Sequence, residues 1–181
     1  MPDAWLLLLA GVVLLLLAWT AWTLTRLRRL EGRVAQAWLA LDTQLQRRAG
    51  LAEELARNYP ATVGEDRAAY LAMFAADARD PVDGDRELAE NALGRELREL
   101  PEDLRGVPAA LRSDLAGTGT RVTLARRFYN DAVRDTRELR GRRLPRLMRL
   151  HASRPQPRYF DIDDRLESVA AGAGEGGRTG S

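Results

Sequence analysis

The chain has no cysteine, no lysine and a single histidine, His151. Without cysteine it can form no disulfide, no thiolate nucleophile and no thiolate metal site. All 28 basic residues are arginines, so no amine is available for Schiff-base chemistry or for the lysine of a phosphate-binding loop. A metal centre needs several ligands, and His151 has no second histidine to join it, so it reads as a solvated residue. Asp161, Asp163, Asp164 and Glu167 cluster in sequence. They lack the turn glycine and the ligand spacing of a calcium loop, and read as a solvated acidic stretch. No GxxxxGK[ST], GxSxG or HExxH string occurs. Glu53 and Glu54 are adjacent, and neighbours on a helix do not face one another. Nothing argues for catalysis, and no cofactor or metal is expected. Nucleic acid is not an expected partner either, because 26 acids nearly balance the arginines and leave a net charge of +2.

What the chain does have is a charge-free apolar run over residues 4–25, AWLLLLAGVVLLLLAWTAWTLT. Roughly 20 apolar helical residues span the hydrocarbon core of a bilayer. Asp3 precedes the run, while Arg26, Arg28, Arg29 and Arg33 follow it. Positive residues stay inside, which predicts a single-pass protein of the cell membrane with its N-terminus outside and its C-terminal domain in the cytoplasm. Trp5, Trp19 and Trp22 sit where interfacial aromatics belong. A cleaved signal would need a positive n-region and a small-residue cleavage site, and an acid stands there instead. The expected layout is an anchor over residues 1–25, one helical domain over 26–151 and a disordered tail over 152–181, Gly-rich at its end.

After the span, Leu27, Leu30, Val34, Ala37, Trp38, Leu41, Leu45, Leu51, Ala52 and Leu55 recur at helical steps. One helix should therefore leave the membrane and run to Asn58-Tyr59, where Pro60 pushes the preceding residue out of the α region. A loop over 61–65 follows. A second helix over 66–79 carries Ala69, Tyr70, Met73 and Phe74 on one face. The turn DPVDGD leads into a third helix over 86–100, with Leu88, Ala92, Leu93, Leu97 and Leu100 inward. After Gly106-Val107-Pro108 comes a fourth helix, from Ala109 to about Arg140. Its seam of Leu111, Leu115, Thr118, Val122, Ala125, Tyr129, Ala132, Thr136 and Leu139 keeps heptad spacing. The expected fold is all-α: the transmembrane helix continues into an antiparallel four-helix bundle of two long and two short helices.

Several strings resemble the LemA family in the order that family keeps. They are RVAQAWLALDTQLQRRAGL in the first helix, Glu90-Asn91-Ala92-Leu93 in the third, ARRFYNDAV over 125–133, and Arg158-Tyr159-Phe160 followed by an acid. The resemblance covers about residues 25–162. The chain departs from the pattern at Glu53-Glu54, at Thr118-Gly119-Thr120 and at Arg137. The resemblance implies a bacterial single-pass membrane protein with a helical-bundle domain and no firmly established activity. Some relatives are linked to the formation of intracellular membranes, and some occur beside membrane metalloproteases.

Two groups of residues stand out as candidate sites. Asp42, Gln44 and Arg48 fall on or beside the first-helix seam, and Arg126 and Asn130 beside the fourth. Buried polar groups need partners, so these five form a candidate polar packing network, unless Arg48 snorkels outward over apolar neighbours. Beyond the fourth helix, Arg140, Arg142, Arg143, Arg146, Arg149, Arg154 and Arg158 follow one another without an acid between them. Arg142, Arg143, Arg146 and Arg149 are the candidate contact with anionic lipid headgroups. The leading functional expectation is a non-enzymatic interaction scaffold anchored to the membrane. The alternative is a membrane-shaping protein that acts by self-association. Partners expected are the bilayer, its anionic headgroups, an unidentified membrane or cytoplasmic protein, and a second copy of the chain.

Overall fold

The computed structural model describes residues 2–81, 84–101, 103–141 and 155–163. Among them all regular structure is helical: α1 Pro2–Asn58, α2 Pro60–Val63, α3 Glu65–Arg79, α4 Arg86–Arg98 and α5 Ala109–Gly141. α1 is one uninterrupted helix of 57 residues that stops where Pro60 requires. The segment expected as a loop contains the single-turn α2, which Pro60 opens. Gly64 turns the chain from α2 into α3 at φ +97°, a conformation that costs a glycine nothing. Asp85 caps α4, its carboxylate accepting from the Leu88 N–H at 3.0 Å, which satisfies one of the first-turn donors.

The apolar stretch of α1 is long and apolar enough to cross a membrane, and no residue of its most apolar 18-residue window is buried. Its hydroxyls find partners within the helix. Thr20, Thr23 and Thr25 donate to the carbonyls of Leu16, Trp19 and Ala21, at 2.8, 2.9 and 2.9 Å. Arg26 stacks over the Trp22 ring at 5.5 Å.

The chain divides into two compact units, Met1–Ala37 with Tyr129–Tyr159, and Trp38–Phe128 with Phe160–Ser181. The second holds the hydrophobic core. Ala49, Ala52, Leu55 and Ala56 of α1 meet Ala68, Leu71, Ala75 and Ala78 of α3, Ala89 and Leu93 of α4, and Leu111 of α5. Alanine at so many contacts keeps the helices close, and the leucines supply about 1.5–3 kcal/mol each on full burial. In the first unit, Glu31 pairs with Arg140 and Arg33 with Asp135. As one residue number rises the other falls, which is how antiparallel helices meet.

Every position of the α5 seam is buried or half-buried. The short helices depart from expectation. On α3 the inward face is Ala68, Leu71, Ala75 and Ala78, while Ala69, Tyr70 and Met73 are exposed. On α4, Leu88 is 62% exposed, and Ala89, Glu90, Leu93 and Gly94 are buried. On α3 the packed face is turned about one residue away from Tyr70 and Met73, with Phe74 still packed against the core; on α4 only Leu88 departs, since Leu93 is buried and Leu97 and Leu100 pack against the core as expected. Small residues face inward because they permit the closer approach, and Glu90 faces inward because an arginine meets it there.

Candidate functional site: the faces of α4 and a docked segment

α4 presents two ridges of polar residues, each spaced one turn apart. Arg86 and Glu90 form the first ridge. Arg48 of α1 donates to Glu90 Oε2 at 2.6 Å and to the Glu90 carbonyl at 3.1 Å. Arg86 reaches Glu90 Oε1 at 3.3 Å and Asp42 Oδ1 at 2.9 Å. The side chains of Glu90 and Arg48 are 0% and 10% exposed. The chain of charges thus runs Asp42, Arg86, Glu90, Arg48, with both Glu90 oxygens engaged. Charges removed from water are tolerated only with this density of partners.

Glu87 and Asn91 form the second ridge. Glu87 Oε1 accepts the Asp161 N–H at 2.8 Å, and Asn91 Oδ1 accepts the Asp163 N–H at 2.7 Å. Four residues of helix rise about 6 Å, and two residues of extended chain advance about 6.6 Å. The spacing of the ridge therefore matches alternate N–H groups of an extended peptide. Burial alternates accordingly: Phe160 and Ile162 are 4% and 5% exposed, and Asp161 and Asp163 face solvent. Trp38 meets the Phe160 ring edge-on, centroids 5.6 Å apart at 73°. Arg126 stands 3.6 Å from Asp161. These residues lie in the stretch expected to be a disordered tail.

In the other unit, side chains of α5 hold carbonyls of residues 155–158. The Tyr129 hydroxyl donates to Arg158 O at 2.8 Å, Arg137 to Pro157 O at 2.9 Å and Arg140 to Pro155 O at 2.8 Å. Arg137 also stacks on Tyr159 at 4.7 Å. Arg140 turns its other nitrogen to Glu31 at 2.6 Å. The planar guanidinium with its fork of donors permits this double use.

The candidate network is thus arranged differently from the sequence expectation. Asp42 and Arg48 are joined, but through Arg86 and Glu90. Arg48 points inward and does not snorkel. Gln44 takes no part, and its Oε1 is buried with no hydrogen-bond partner among the described residues. Arg126 pairs with Asp161, and Asn130 lies in the other unit. Arg142, Arg143, Arg146 and Arg149 fall outside the described residues. Arg140 was expected beside them; it is 4% exposed and paired with Glu31, so it is withdrawn from any lipid surface. Sequence reasoning missed Arg86, Glu87 and Glu90. An Arg and a Glu one turn apart read as a solvated helix pair, and only a burial pattern could have said otherwise.

Because Asp42 and Arg48 are linked through the Arg86–Glu90 pair, Asp42→Asn and Arg48→Met should not add. A double-mutant cycle on urea unfolding of the full chain in micelles is expected to give a coupling of about 0.5–3 kcal/mol. Additive effects would mean that the two ends of the network act independently.

No protein-family model, no curated protein and no solved structure matches the chain.

Proposed function

We propose that this chain is a membrane-anchored helical interaction scaffold of the LemA type, without enzymatic activity. It sits in the cell membrane of a bacterium with its helical domain in the cytoplasm. The observation that carries the reading is α1 itself. One helix runs from a largely exposed apolar stretch, through four arginines, into the packed core. A helix in lipid must satisfy its own polar groups, and the threonines of this stretch do so. The arginines lie on the domain side of the apolar run, which supports the cytoplasmic orientation. The same reading closes the long and short helices into an antiparallel four-helix bundle, with the opposed pairs Glu31–Arg140 and Arg33–Asp135 in its favour. A helical core crossed by interlocked charges suits a protein that holds other proteins.

A second reading, membrane shaping by lateral self-association, draws on Leu124 and Phe128, which are exposed one turn apart on α5. Cross-linking in intact membranes followed by purification separates the two. A single heterologous partner supports the scaffold, and ordered homo-oligomers support the shaper. Orientation is tested by reporters fused after Ser181. A fluorescent protein is expected to glow there and alkaline phosphatase to stay inactive. An active phosphatase would place the domain outside and overturn the cytoplasmic assignment.

A further inference from the structure

A cleft between α1 and α5 opens directly beyond the apolar run. Arg26, Leu30 and Arg33 line it from α1, at the four- and three-residue steps that share one helix face. Asp135, Glu138 and Leu139 line it from α5, again on one face. All six belong to the first compact unit. The volume of the cleft is about 270 Å³, just under the roughly 300 Å³ at which pockets for drug-sized ligands begin. That size suits a small polar group rather than a large molecule.

Depth and charge together indicate the chemistry of that group. Arg26 follows the last residue of the charge-free run over 4–25, so on the membrane-anchored reading it marks the edge of the hydrocarbon core. Its guanidinium stacks over the Trp22 ring, at the depth where interfacial aromatics sit. Arg33 stands seven residues on, about 10 Å along the helix. A headgroup layer is about 5–8 Å thick on each side of a bilayer, so the cleft lies level with the phosphates. Its lining carries arginines and acids in equal number. Arg33 of α1 and Asp135 of α5 approach to 3.9 Å, beyond hydrogen-bond length, and are 63% and 46% exposed. Exposed pairs at this distance contribute little, so each member can take up the opposite charge of a ligand at small cost. A ligand with an anionic and a cationic end satisfies both walls, whereas a purely anionic one meets two carboxylates.

We propose that this cleft binds the headgroup of a zwitterionic phospholipid of the ethanolamine type. The phosphate takes the side of Arg26 and Arg33, since guanidinium groups meet phosphate oxygens with paired donors. The ammonium takes the side of Asp135 and Glu138, where its three N–H donors meet carboxylate acceptors. Leu30 and Leu139 supply apolar wall for the methylenes between the two charges. A choline headgroup fits less well. It has no N–H to donate, quaternary ammonium groups are held by aromatic rings, and no ring lines the cleft among the described residues. A glycerol headgroup brings no cation to the acids. The assignment rests on the membrane-anchored reading and names a lipid that the anchored domain takes.

The test uses the full chain in nanodiscs made from equal parts of ethanolamine, choline and glycerol phospholipids. After release into detergent, native mass spectrometry counts the lipids that each chain retains. One ethanolamine phospholipid per chain is expected, preferred about tenfold over either of the others, the ratio that one charge-assisted hydrogen bond supplies. Equal retention of all three, retention of none, or preference for the choline or glycerol lipid overturns the proposal. Asp135→Asn with Glu138→Gln should abolish the preference over the glycerol lipid. Arg26→Gln with Arg33→Gln should abolish retention. Unchanged selectivity in both variants, each with helicity intact by circular dichroism, also overturns it. A further measurement needs no variant. Soluble phosphoethanolamine shares the headgroup chemistry but lacks the acyl chains, so it should displace the lipid from the unchanged chain only in large excess. Displacement at equal concentration would assign the cleft to a soluble phosphate ester and overturn the lipid named here. Alkaline carbonate extraction of membranes reads the anchor alone. A chain that stays in the pellet keeps the anchored reading even if no lipid is retained, and a chain that is released defeats the anchor whatever the lipid result.

Discussion

Glu90→Ala is expected to destabilise the chain by about 3–5 kcal/mol, the cost of leaving a buried charge without its counter-ion. Among the described residues Glu90 is the only acid that touches Arg48, and its side chain is 0% exposed. Its removal strands the Arg48 guanidinium in the α1–α4 interface and frees Arg86 from one of its two carboxylates. The control is Glu53→Ala. Glu53 pairs with Arg57 and Arg79 at the surface, where such pairs contribute about 0.2–1 kcal/mol. Urea unfolding of the full chain in micelles measures both. A rescue sharpens the result: Arg48→Met with Glu90→Leu removes both charges at similar volume, and such replacements are often neutral or stabilising. Most of the loss should return. If Glu90→Ala costs no more than Glu53→Ala, the pair is solvated and the buried network does not exist.

Tyr129→Ala is expected to cost about 3–5 kcal/mol, as for other large aromatic truncations in a core. The ring is buried on the α5 seam, and its hydroxyl donates to Arg158 O at 2.8 Å. Tyr129→Phe separates the two contributions. It keeps the ring and loses one hydrogen bond, at a cost of about 0.5–1.5 kcal/mol. Arg134→Ala, one turn and a residue further along on the exposed side and paired with Asp131, should change stability by less than about 1 kcal/mol. Comparable small effects of Tyr129→Ala and Arg134→Ala would show that the seam faces water.

Periodicity made the long helices legible. The apolar positions of α1 and α5 recur over many turns, and a stripe that long tolerates only one inward face. Pro60 and Pro108 mark their boundaries, because proline cannot be accommodated in a helix interior. The short helices were legible as helices, and the inward face of α4 was legible apart from Leu88, but the rotation of α3 was not. Over 15 residues, Tyr70 and Met73 weigh heavily in any hydrophobic count, yet α3 packs through Ala68, Leu71, Ala75 and Ala78; on α4, Leu88 likewise faces out while Leu93 and Leu97 pack inward. The choice belongs to the neighbours: α1 brings its own alanines and Arg48 to these helices, and small residues opposite small residues let the backbones approach.

The candidate site was legible only in part for the same reason. Arg48 could be placed on a seam by counting heptads from Leu27, Val34 and Leu41. Its partner could not, because an acid on α4 is 42 residues away and looks like any other surface glutamate. The docked segment was less legible still. RYFDID alternates over too few residues to announce an extended chain, and the acids between the apolar residues resemble a solvated tail.

By itself, the sequence determined that the protein is helical, that one helix is apolar enough to cross a bilayer, where the long helices begin and end, and which chemistries its missing cysteines and lysines forbid. These follow from local rules, namely period, length, proline and composition, which act within a few turns of chain. Only the tertiary structure decided which face of α3 turns inward, that Leu88 of α4 faces out, that Arg48 pairs with Glu90, and that Phe160 is seated against Trp38. Those outcomes depend on which distant groups share a desolvated space, where an unpaired charge or an unfilled pocket is costly and the partner that removes the cost is set by the fold.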